Sequence, residues 1–530
     1  MRVLPFAFFT LTLALGIFLS GDYGISWDEP IQNALGNASW NYVLHGSTDL
    51  FQLQNQYHGG FVEMLENVPW RLFHWTEPAT IFLSRHLANY LIFWLGTIFL
   101  FLIGRELRFD RQDLHKAEIA NHRIQSDLSK SLTALLPVIL LYLTPRIFAQ
   151  SFYNSKDIPL LSYFIIGNYF LLRFLKKPSI TLALVFAMVS GMAFSIRVLG
   201  ILIPVFAVTF FIINILNENI PKRSLKYLAG YLLLTTGCCI LFSPVLWHDP
   251  VGGLQKSFLI FSHYPYNDAQ FFMGNLHKPQ QLPWYYIPVW MGITLPVMWQ
   301  LFFFIGLISV AIIIIRSAKD LFRSSWPWLL IASWCILPGL IVLILDSAVY
   351  DEWRHLFFIY PACLLIAMRG ISVVISPSLV QSILKKSDPE KTILSLRITI
   401  AAIITQAVFL LQFMIANHPY EHVYFNLIAG NNPEKKFDLD YWGLSYRQGL
   451  QYLVKHANED TIKACWANAP GNYNLAWLNK ADRQRIREMP YDSSEYFITN
   501  FRFHPDQYKD SAWHTIKVND FTILAIEKLH

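Results

Sequence analysis

The sequence predicts an all-α polytopic membrane bundle of about eleven helices, followed by a small α/β domain outside the membrane. Composition predicts the bundle, because 54% of the 530 residues are hydrophobic and only 15% are charged, whereas soluble domains carry about a quarter charged residues. The apolar residues fall in blocks about as long as a helix needs to cross ~30 Å of hydrocarbon. After residue 416 the blocks stop and ordinary soluble composition follows, which predicts the second domain.

Eleven apolar blocks are interpreted as membrane spans. Backbone groups in lipid find no water to bond, so each block should form a helix. The first block is not followed by a small-residue cleavage site, so we expect an uncleaved span rather than a signal peptide. The spans are expected near residues 3–20, 84–104, 131–147, 158–173, 180–196, 198–215, 225–246, 294–315, 326–345, 355–375 and 394–416.

Basic residues are unevenly distributed between alternate loops. If the N-terminus is cytoplasmic, the inner segments hold most of the Lys and Arg residues that precede residue 417, so the positive-inside rule predicts an inner N-terminus and an outer C-terminus. Two long loops, residues 21–83 and 247–293, then lie outside; both are rich in Trp, Tyr, Pro and His. We expect these loops to cover a site at the outer face.

Net charge and cysteine spacing argue against a nucleic-acid-binding protein, a disulfide-rich protein and a zinc protein. The net charge of +6 is modest and spread over several loops, which argues against a nucleic-acid partner. The five cysteines have neither disulfide-framework nor zinc spacing. Four of the five cysteines lie within apolar blocks, as packing residues usually do.

The C-terminal 114 residues have the pattern of a small α/β domain. A helical pattern occurs near residues 444–457, and strand-like runs occur at Thr461–Trp466, Glu495–Arg502 and His514–Glu527, the last interrupted by a turn at Asn519-Asp520. We therefore predict a transmembrane domain over residues 1–416 and a soluble domain over residues 417–530.

The most suggestive polar segment is Ser26–Pro30, directly after the first span. Its adjacent carboxylates, Asp28 and Glu29, lie close to the predicted lipid boundary. Because like charges repel and burial disfavours ionisation, one pKa should rise towards the range useful for a general base. The alternative is an ordinary acidic turn with Pro30 opening a helix.

Two further acidic positions lie at predicted outer ends of spans. Asp157, next to Lys156, begins the fourth span, where a carboxylate also simply favours the positive end of the helix dipole. Glu77 lies with Arg85 at the entrance to the second span, where the alternative is a charge pair that anchors the span end.

Two arginines complete the set of candidates at the outer face. Arg354, next to His355 before the tenth span, could hold a lipid phosphate by bidentate hydrogen bonds or serve as an interfacial anchor. Arg197 lies in the very short connection between spans five and six, so its charge must lie at the outer edge or face the bundle interior, where charges are functional suspects.

Together these residues resemble the GT-C superfamily of polytopic glycosyltransferases, particularly its branch similar to protein O-mannosyltransferases and lipid A aminoarabinose transferases. The resemblance rests on the acidic pair Asp28-Glu29, the stretch from Pro145-Arg146 to Asp157-Ile158-Pro159, the span entry Arg354-His355, and the span count. Members with a longer bundle have thirteen spans, so eleven spans resemble the O-mannosyltransferase type.

A second stretch resembles the region after the last span in bacterial members of this kind. It is rich in aromatic residues, which suits a lid near the membrane surface or packing against the last helix. It comprises His418-Pro419-Tyr420-Glu421, Tyr424-Phe425-Asn426 and Asp440-Tyr441-Trp442-Gly443-Leu444-Ser445-Tyr446.

The resemblance implies an inverting transfer from a polyprenyl-phosphate-linked sugar donor to an acceptor hydroxyl on the periplasmic face of a bacterial inner membrane. Asp28 would be the general base, and Glu29 would tune or position it. Arg354 is the first choice for stabilising the departing phosphate. Three further cations stand behind it: Lys156, Arg85 and Arg197.

The resemblance also implies secondary roles and partners. Asp157 and Glu77 could orient the acceptor or help to hold a divalent cation, Mg or Mn, which some members of the superfamily use and others do not. The sugar stays open, as does the acceptor among protein, lipid and glycan; membrane lipids surround the bundle. The alternative function is a transporter or flippase of lipid-linked sugars, although transporters carry charges near the bilayer midplane and these spans are almost free of them.

Overall fold

The computed structural model describes residues 3–107, 123–262, 266–316, 325–345, 349–375, 389–503 and 512–529. We number its α-helices in chain order. They are α1 Val3–Leu19, α2 Glu29–His45, α3 Gly60–Leu72, α4 Pro78–Glu106, α5 Arg123–Tyr142, α6 Pro145–Tyr153, α7 Asp157–Lys176, α8 Ile180–Ile196, α9 Leu202–Leu216, α10 Leu225–Leu241, α11 Pro250–Ser262, α12 Tyr286–Thr294, α13 Val297–Arg316, α14 Trp326–Ile344, α15 Tyr360–Ile375, α16 Pro389–Ala416, α17 Tyr446–His456, α18 Pro470–Tyr473 and α19 Lys480–Arg485. The strands are β1 Gln270–Phe272, β2 Asn275–His277, β3 Ile462–Trp466, β4 Ile486–Glu488, β5 Tyr496–Thr499, β6 His514–Val518 and β7 Phe521–Lys528.

The predicted polytopic bundle is confirmed. Within the described part of the chain, eight helices are long and apolar enough to cross a membrane; a bent pair, α5 with α6, also passes when taken as one span, and α1 and α8 are shorter apolar helices. Each coincides with one of the eleven predicted spans. The chain is a multi-pass membrane protein.

The bend between α5 and α6 positions polar side chains at one end of the bundle. The two helices differ in direction by 73° across a short break. Pro145 opens α6, and a proline lacks the N–H and clashes with the preceding turn, so the α5 helix cannot continue through it. Every residue of α6 is buried, including Arg146 and Gln150. The predicted span 131–147 therefore ends earlier, at Tyr142, and α6 lies across its end.

Glycines allow two spans, α13 and α15, to cross closely. A Cβ at Gly306 of α13 would lie 1.9 Å from the Ile366 carbonyl oxygen of α15, and a Cβ at Gly370 would lie 1.9 Å from that of Phe302. Small residues permit this approach, and van der Waals packing between backbones stabilises helix pairs in lipid. The crossing fixes α15, which continues the 3₁₀ segment Arg354–Ile359.

The two long loops, residues 21–83 and 247–293, are structured. The first contains α2 and α3, and the second contains α11, the β1–β2 hairpin and α12. The hairpin pairs antiparallel, and Phe272 forms a further bridge to Phe437 in the stretch after the last span. These two loops and the C-terminal region thus form one layer over the end of the bundle.

The C-terminal domain contains a five-stranded sheet in the order β4-β3-β5-β7-β6. β3 pairs in parallel with β4 and β5, whereas β7 pairs antiparallel with β5 and β6. The three strand-like runs and the helix near residues 444–457 are therefore present, with the turn at Asn519-Asp520 joining β6 to β7.

The C-terminal domain docks on the segment that follows α1. Asn474 accepts from the Ile25 backbone nitrogen at 2.8 Å and donates to the Ile25 carbonyl at 2.9 Å. Arg447 donates to the carbonyls of Gly21 and Tyr23. A Cβ at Gly24 would lie 2.5 Å from the Leu444 carbonyl oxygen, so this close approach requires glycine. The docking fixes the backbone that leads to Asp28.

Candidate functional site

Asp28 lies at the start of α2 and faces the tenth predicted span. Its Oδ2 accepts from Arg354 Nη1 at 2.9 Å, and its side chain is 30% exposed whereas that of Arg354 is 4% exposed. The sequence separates these residues by 326 positions. The structure therefore brings the two principal candidates together at one end of the bundle.

Arg354 is held by three aspartates. Besides Asp28, its Nη1 lies 3.8 Å from Asp157 Oδ2, and its Nη2 donates to Asp351 Oδ2 at 2.9 Å. Its guanidinium carbon lies 4.7 Å from the ring centroid of Trp442, a distance at which the ring face attracts a cation. Arg354 is thus the hub that orients Asp28.

The charge on Asp28 is set by its cations. Burial raises the pKa of Asp28, but the nearby charges of Arg354 and then Lys156 outweigh burial and leave the pKa below its usual value. We expected one carboxylate of the Asp28-Glu29 pair to have a raised pKa; for Asp28 the shift is opposite, because the sequence did not reveal how close the cations lie. Asp28 is therefore ionised across the neutral range.

Asp157 links a second arginine to this hub. Its Oδ1 lies 2.7 Å from Arg197 Nη2, and its Oδ2 accepts from Asn154 Nδ2 at 3.1 Å. Both Asp157 and Arg197 are buried. The start of α7 and the corner after α8 therefore meet beside Arg354, which explains how a charge in a very short connection between spans is accommodated.

Lys156 is buried in the same cluster. Burial lowers its pKa, the charge of Asp28 opposes this shift, and Arg197 adds to it, so the pKa of Lys156 lies at about 8. Lys156 is charged at neutral pH and loses that charge just above it. Together Lys156, Arg197 and Arg354 form what we call the cationic pocket.

Asp351 connects the C-terminal domain to the hub. Its Oδ1 accepts from Arg502 Nη2 at 2.9 Å, and Arg502 follows β5. The Arg502 guanidinium lies 4.7 Å from the Trp27 ring centroid. A domain outside the membrane therefore closes the site beside Asp28.

Asp351 and its neighbour Glu352 have positive φ angles of 52° and 62°. Non-glycine residues rarely adopt this conformation, and such strain concentrates at functional sites. The bend directs the two carboxylates to different partners, because Glu352 contacts Arg146 at 3.1 Å and accepts from the Tyr441 hydroxyl. The segment before Arg354 is thereby fixed between α6 and the C-terminal region.

Glu29 is buried, unlike the partly exposed Asp28. Its Oε2 accepts from the Ser26 backbone nitrogen at 2.7 Å, and its Oε1 lies 2.8 Å from His86 Nε2. These contacts close the turn that presents Asp28. They place Glu29 in a position that supports the loop.

Arg85 and Glu77 lie outside this cluster of contacts. Arg85 is buried between Glu63 and Glu66, with its Nη2 2.8 Å from Glu66 Oε2. Glu77 is 60% exposed and pairs with Arg483 of the C-terminal domain at 3.0 Å. Arg85 is therefore already neutralised, and Glu77 joins the bundle to the sheet domain.

Two histidines accompany the cationic pocket. His58 lies in electrostatic range of Lys156 and Arg197, and His355 lies in range of those cations and of Arg354. No sequence pattern indicates His58, and His355 stands out in the sequence only as the neighbour of Arg354. Arg502 is also absent from the candidates that the sequence suggests, because only the folded chain brings this C-terminal residue to Asp351.

The aromatic stretch after the last span forms a wall of the site. Asp440 accepts from the backbone nitrogens of Gly443, Leu444 and Ser445 and from the Ser445 hydroxyl, and lies 2.9 Å from His422 Nε2. This turn presents Trp442, whose carbonyl accepts from the Trp27 nitrogen at 3.0 Å. The stretch thus packs on Trp27 and Arg354 near Asp28.

Asp440→Asn is expected to destabilise the protein, because an amide nitrogen would face backbone donors that the carboxylate satisfies. The cost should be roughly 3 kcal/mol, visible as a lower midpoint of thermal unfolding in detergent. The matched control is Asp460→Asn at an exposed site of the same domain. Equal midpoints for the two variants would contradict the role of Asp440.

Metal binding was left open by the sequence. In the described ranges, no group of three or more His, Cys, Asp or Glu side chains is arranged to hold a metal ion. Asp157 already contacts Arg197, Arg354 and Asn154. Glu77 lies apart from Asp157 and pairs with Arg483. Asp157 and Glu77, the two residues that the sequence suggests as metal ligands, therefore do not fit a shared divalent site in the part of the chain that the structure describes.

Fold and site together define a multi-pass membrane protein with an ionic centre at one end of its helical bundle. Residues 123–248 match the family described as dolichyl-phosphate-mannose-protein mannosyltransferase. The match includes Arg146, Lys156, Asp157 and Arg197, and it confirms the resemblance over this segment. No curated protein matches the chain.

Solved structures give further similarities. ArnT from Cupriavidus metallidurans, bound to undecaprenyl phosphate, is 12% identical with a TM-score of 0.46, over 98% of this chain and 97% of ArnT. The Archaeoglobus fulgidus oligosaccharyltransferase in the apo form is 11% identical with a TM-score of 0.49, over 92% of this chain and 65% of that one. AglB from Archaeoglobus fulgidus, in complex with an inhibitory peptide and a dolichol-phosphate, is 12% identical with a TM-score of 0.46, over 93% and 69%.

Proposed function

We propose that this protein is a GT-C-type glycosyltransferase that moves a sugar from a polyprenyl-phosphate carrier to an acceptor hydroxyl with inversion at the anomeric carbon. The contact between Asp28 and Arg354 carries the proposal, since it sets a partly exposed carboxylate beside the cationic pocket at one end of the bundle. The family match over residues 123–248 supports the same class.

Asp28 is the general base of the proposed reaction. The acceptor oxygen attacks the anomeric carbon, its proton passes to an Asp28 carboxylate oxygen, and the bond from that carbon to the phosphate oxygen breaks with its electron pair on the phosphate. A positioned carboxylate removes the proton as the new bond forms. Arg354 fixes the direction of the carboxylate, and Glu29 fixes the turn behind it.

The cationic pocket receives the leaving phosphate. Negative charge grows there as the bond breaks, and cations placed in advance stabilise that state more than the ground state. Arg354 was the first choice for this role from the sequence, but it already contacts three aspartates. We therefore assign most of the phosphate binding to Lys156 and Arg197, with Arg354 linking them to Asp28.

We propose that the site faces the periplasm of a bacterial inner membrane, with the N-terminus in the cytoplasm. The uneven distribution of Lys and Arg between alternate loops supports this orientation. The acceptor then approaches through the layer formed by the outer loops and the C-terminal domain, and the lipid donor approaches from the bilayer.

The experiment that tests the function is a transfer assay in proteoliposomes with labelled polyprenyl-phosphate sugars. We expect label to pass from lipid to an acceptor hydroxyl. Label that only redistributes between the two leaflets would instead indicate transport and would contradict the proposed function.

Lys156 gives the proposed phosphate site a pH dependence. Its pKa of about 8 means that the cation is present below pH 8 and lost above it, so binding of undecaprenyl phosphate should weaken as pH rises from 7.5 to 9.5. In Lys156→Arg the charge persists, so the share of the weakening that comes from Lys156 should disappear and the pH dependence should be smaller. Parallel titrations of both proteins by calorimetry check this; an identical pH dependence would contradict it.

A further inference from the structure

Two buried imidazoles lie among the cations of the proposed phosphate site. His58 is 5% exposed and His355 is 8% exposed. His58 precedes Gly59, whose nitrogen donates to the Ser195 carbonyl at 3.0 Å, so its loop is fixed against the corner that carries Arg197. His355 directly follows Arg354. Three separate segments therefore deliver histidines and cations to one place.

Positive charge faces both imidazoles. Lys156 and Arg197 face His58, and the same two cations, with Arg354 and His58 itself, face His355. Asp28 and Asp157 are paired with Arg354 and Arg197, and Glu63 lies in electrostatic range of Lys156. The Tyr350 ring packs edge-on against His355, with ring centroids 4.5 Å apart.

The His58 imidazole is neutral when no anion lies among the three cations. Burial, and then the charges of Lys156 and Arg197, hold the pKa of His58 well below its usual range. Within the described residues, Nε2 of His355 is buried without a hydrogen-bond partner. A buried polar atom left in this way costs free energy, and a ligand that satisfies it recovers that cost.

Resting on the proposed function, we propose that His58 and His355 share one proton that is taken up when the lipid phosphate binds and released when it leaves. A bound phosphate reverses the sign of the local field, because an anion then lies among the three cations. The charged form of an imidazole becomes favourable and donates a charge-assisted hydrogen bond to a phosphate oxygen. The proton comes from solvent and returns to it, so the pair is a binding element of the site and no bond to carbon changes.

Proton uptake also benefits the transfer step. The donor is a phosphodiester with one negative charge, and its leaving group gains charge as the glycosidic bond breaks. An imidazolium already in place stabilises that gain more strongly than it stabilises the donor. The pair would therefore favour retention of the spent carrier at low pH and its release at high pH.

Calorimetry in buffers of different ionisation enthalpy counts the protons directly. Undecaprenyl phosphate is titrated into the full chain in detergent at pH 7, where Lys156 is already charged because its pKa lies at about 8. The slope of binding enthalpy against buffer ionisation enthalpy should be about one proton per phosphate in the wild type. It should approach zero in the double variant His58→Gln, His355→Gln. The control His45→Gln, at an exposed position of the same outer loop, should keep the wild-type slope.

The outcomes separate this inference from the function on which it rests. Binding of undecaprenyl phosphate to the wild type with a slope near zero would overturn the proton uptake and leave the phosphate site intact. An unchanged slope in the double variant would also overturn it, because the proton would then go to the phosphate or to another group. Absence of any binding in the wild type would instead overturn the proposed function itself. A wild-type slope near zero overturns the proton uptake whether or not the double variant folds.

Discussion

Replacing Asp28 by Asn should abolish sugar transfer and leave expression and membrane insertion intact. The amide still accepts a hydrogen bond from Arg354 but cannot take up the acceptor proton, so kcat should fall about 10²–10⁴-fold. Donor binding should change little, because the cationic pocket is retained. The measurement is turnover of a labelled lipid donor by purified protein in proteoliposomes, alongside binding of undecaprenyl phosphate.

The matched control is Asp49→Asn, at an exposed aspartate in the same loop of residues 21–83, whose carboxylate accepts from the Ser47 hydroxyl. It should turn over at the wild-type rate. Near-normal turnover in Asp28→Asn would remove Asp28 from the mechanism. Loss of turnover in both variants would show that the loop, rather than one carboxylate, carries the effect.

Arg354→Ala should have the second large effect, because it removes the partner of three carboxylates at once. Breaking a buried ion pair costs about 3–5 kcal/mol. Binding of undecaprenyl phosphate should also weaken, since three aspartate charges would remain uncompensated beside the pocket. The pKa of Asp28 is held low mainly by Arg354, so it should rise in the variant.

The sign of the pH effect follows from that shift. General-base activity is present above the pKa of Asp28 and is lost as pH falls through it, so the acid limb of kcat/KM should move to higher pH in Arg354→Ala. Arg354→Lys, which keeps the charge but loses the guanidinium fork, should move it less. Arg483→Ala, at the exposed pair with Glu77, should leave the profile unchanged. Unchanged donor affinity and acid limb in Arg354→Ala would contradict the role of Arg354 as the hub.

The membrane spans could be predicted from sequence because hydrocarbon imposes one requirement on every span, an apolar block of sufficient length. Span three is instructive. Its apolar block was predicted correctly, but the helix ends before residue 147 because of the 73° bend at Pro145. The apolar pattern alone does not show such a bend, because it does not reveal where buried polar residues such as Arg146 find their partners.

The site could be predicted in part. Asp28, Lys156, Asp157, Arg197 and Arg354 lie at predicted outer ends of spans, and the fold brings all of them into one cluster. Topology alone predicts this convergence, because an odd number of spans precedes each of these ends and an even number of crossings therefore separates any two of them.

The pairing of each charge could not be predicted in this way. Glu63 and Glu66 neutralise Arg85, and Glu77 pairs with Arg483 across 406 positions. Arg502 reaches Asp351 from a domain outside the membrane. Such contacts join distant segments whose spacing carries no periodic signal, so only the folded arrangement distinguishes a free cation from one already paired.

Cryo-electron microscopy of the protein with undecaprenyl phosphate tests the central claim most directly, namely that Asp28 lies beside the phosphate site. The proposed function predicts phosphate density in the cationic pocket, within charge-assisted hydrogen-bond distance of about 2.7–2.9 Å from Lys156 and Arg197, with the Asp28 carboxylate facing the space where the sugar would lie. Phosphate density bound elsewhere on the bundle, away from Lys156 and Arg197, would contradict it.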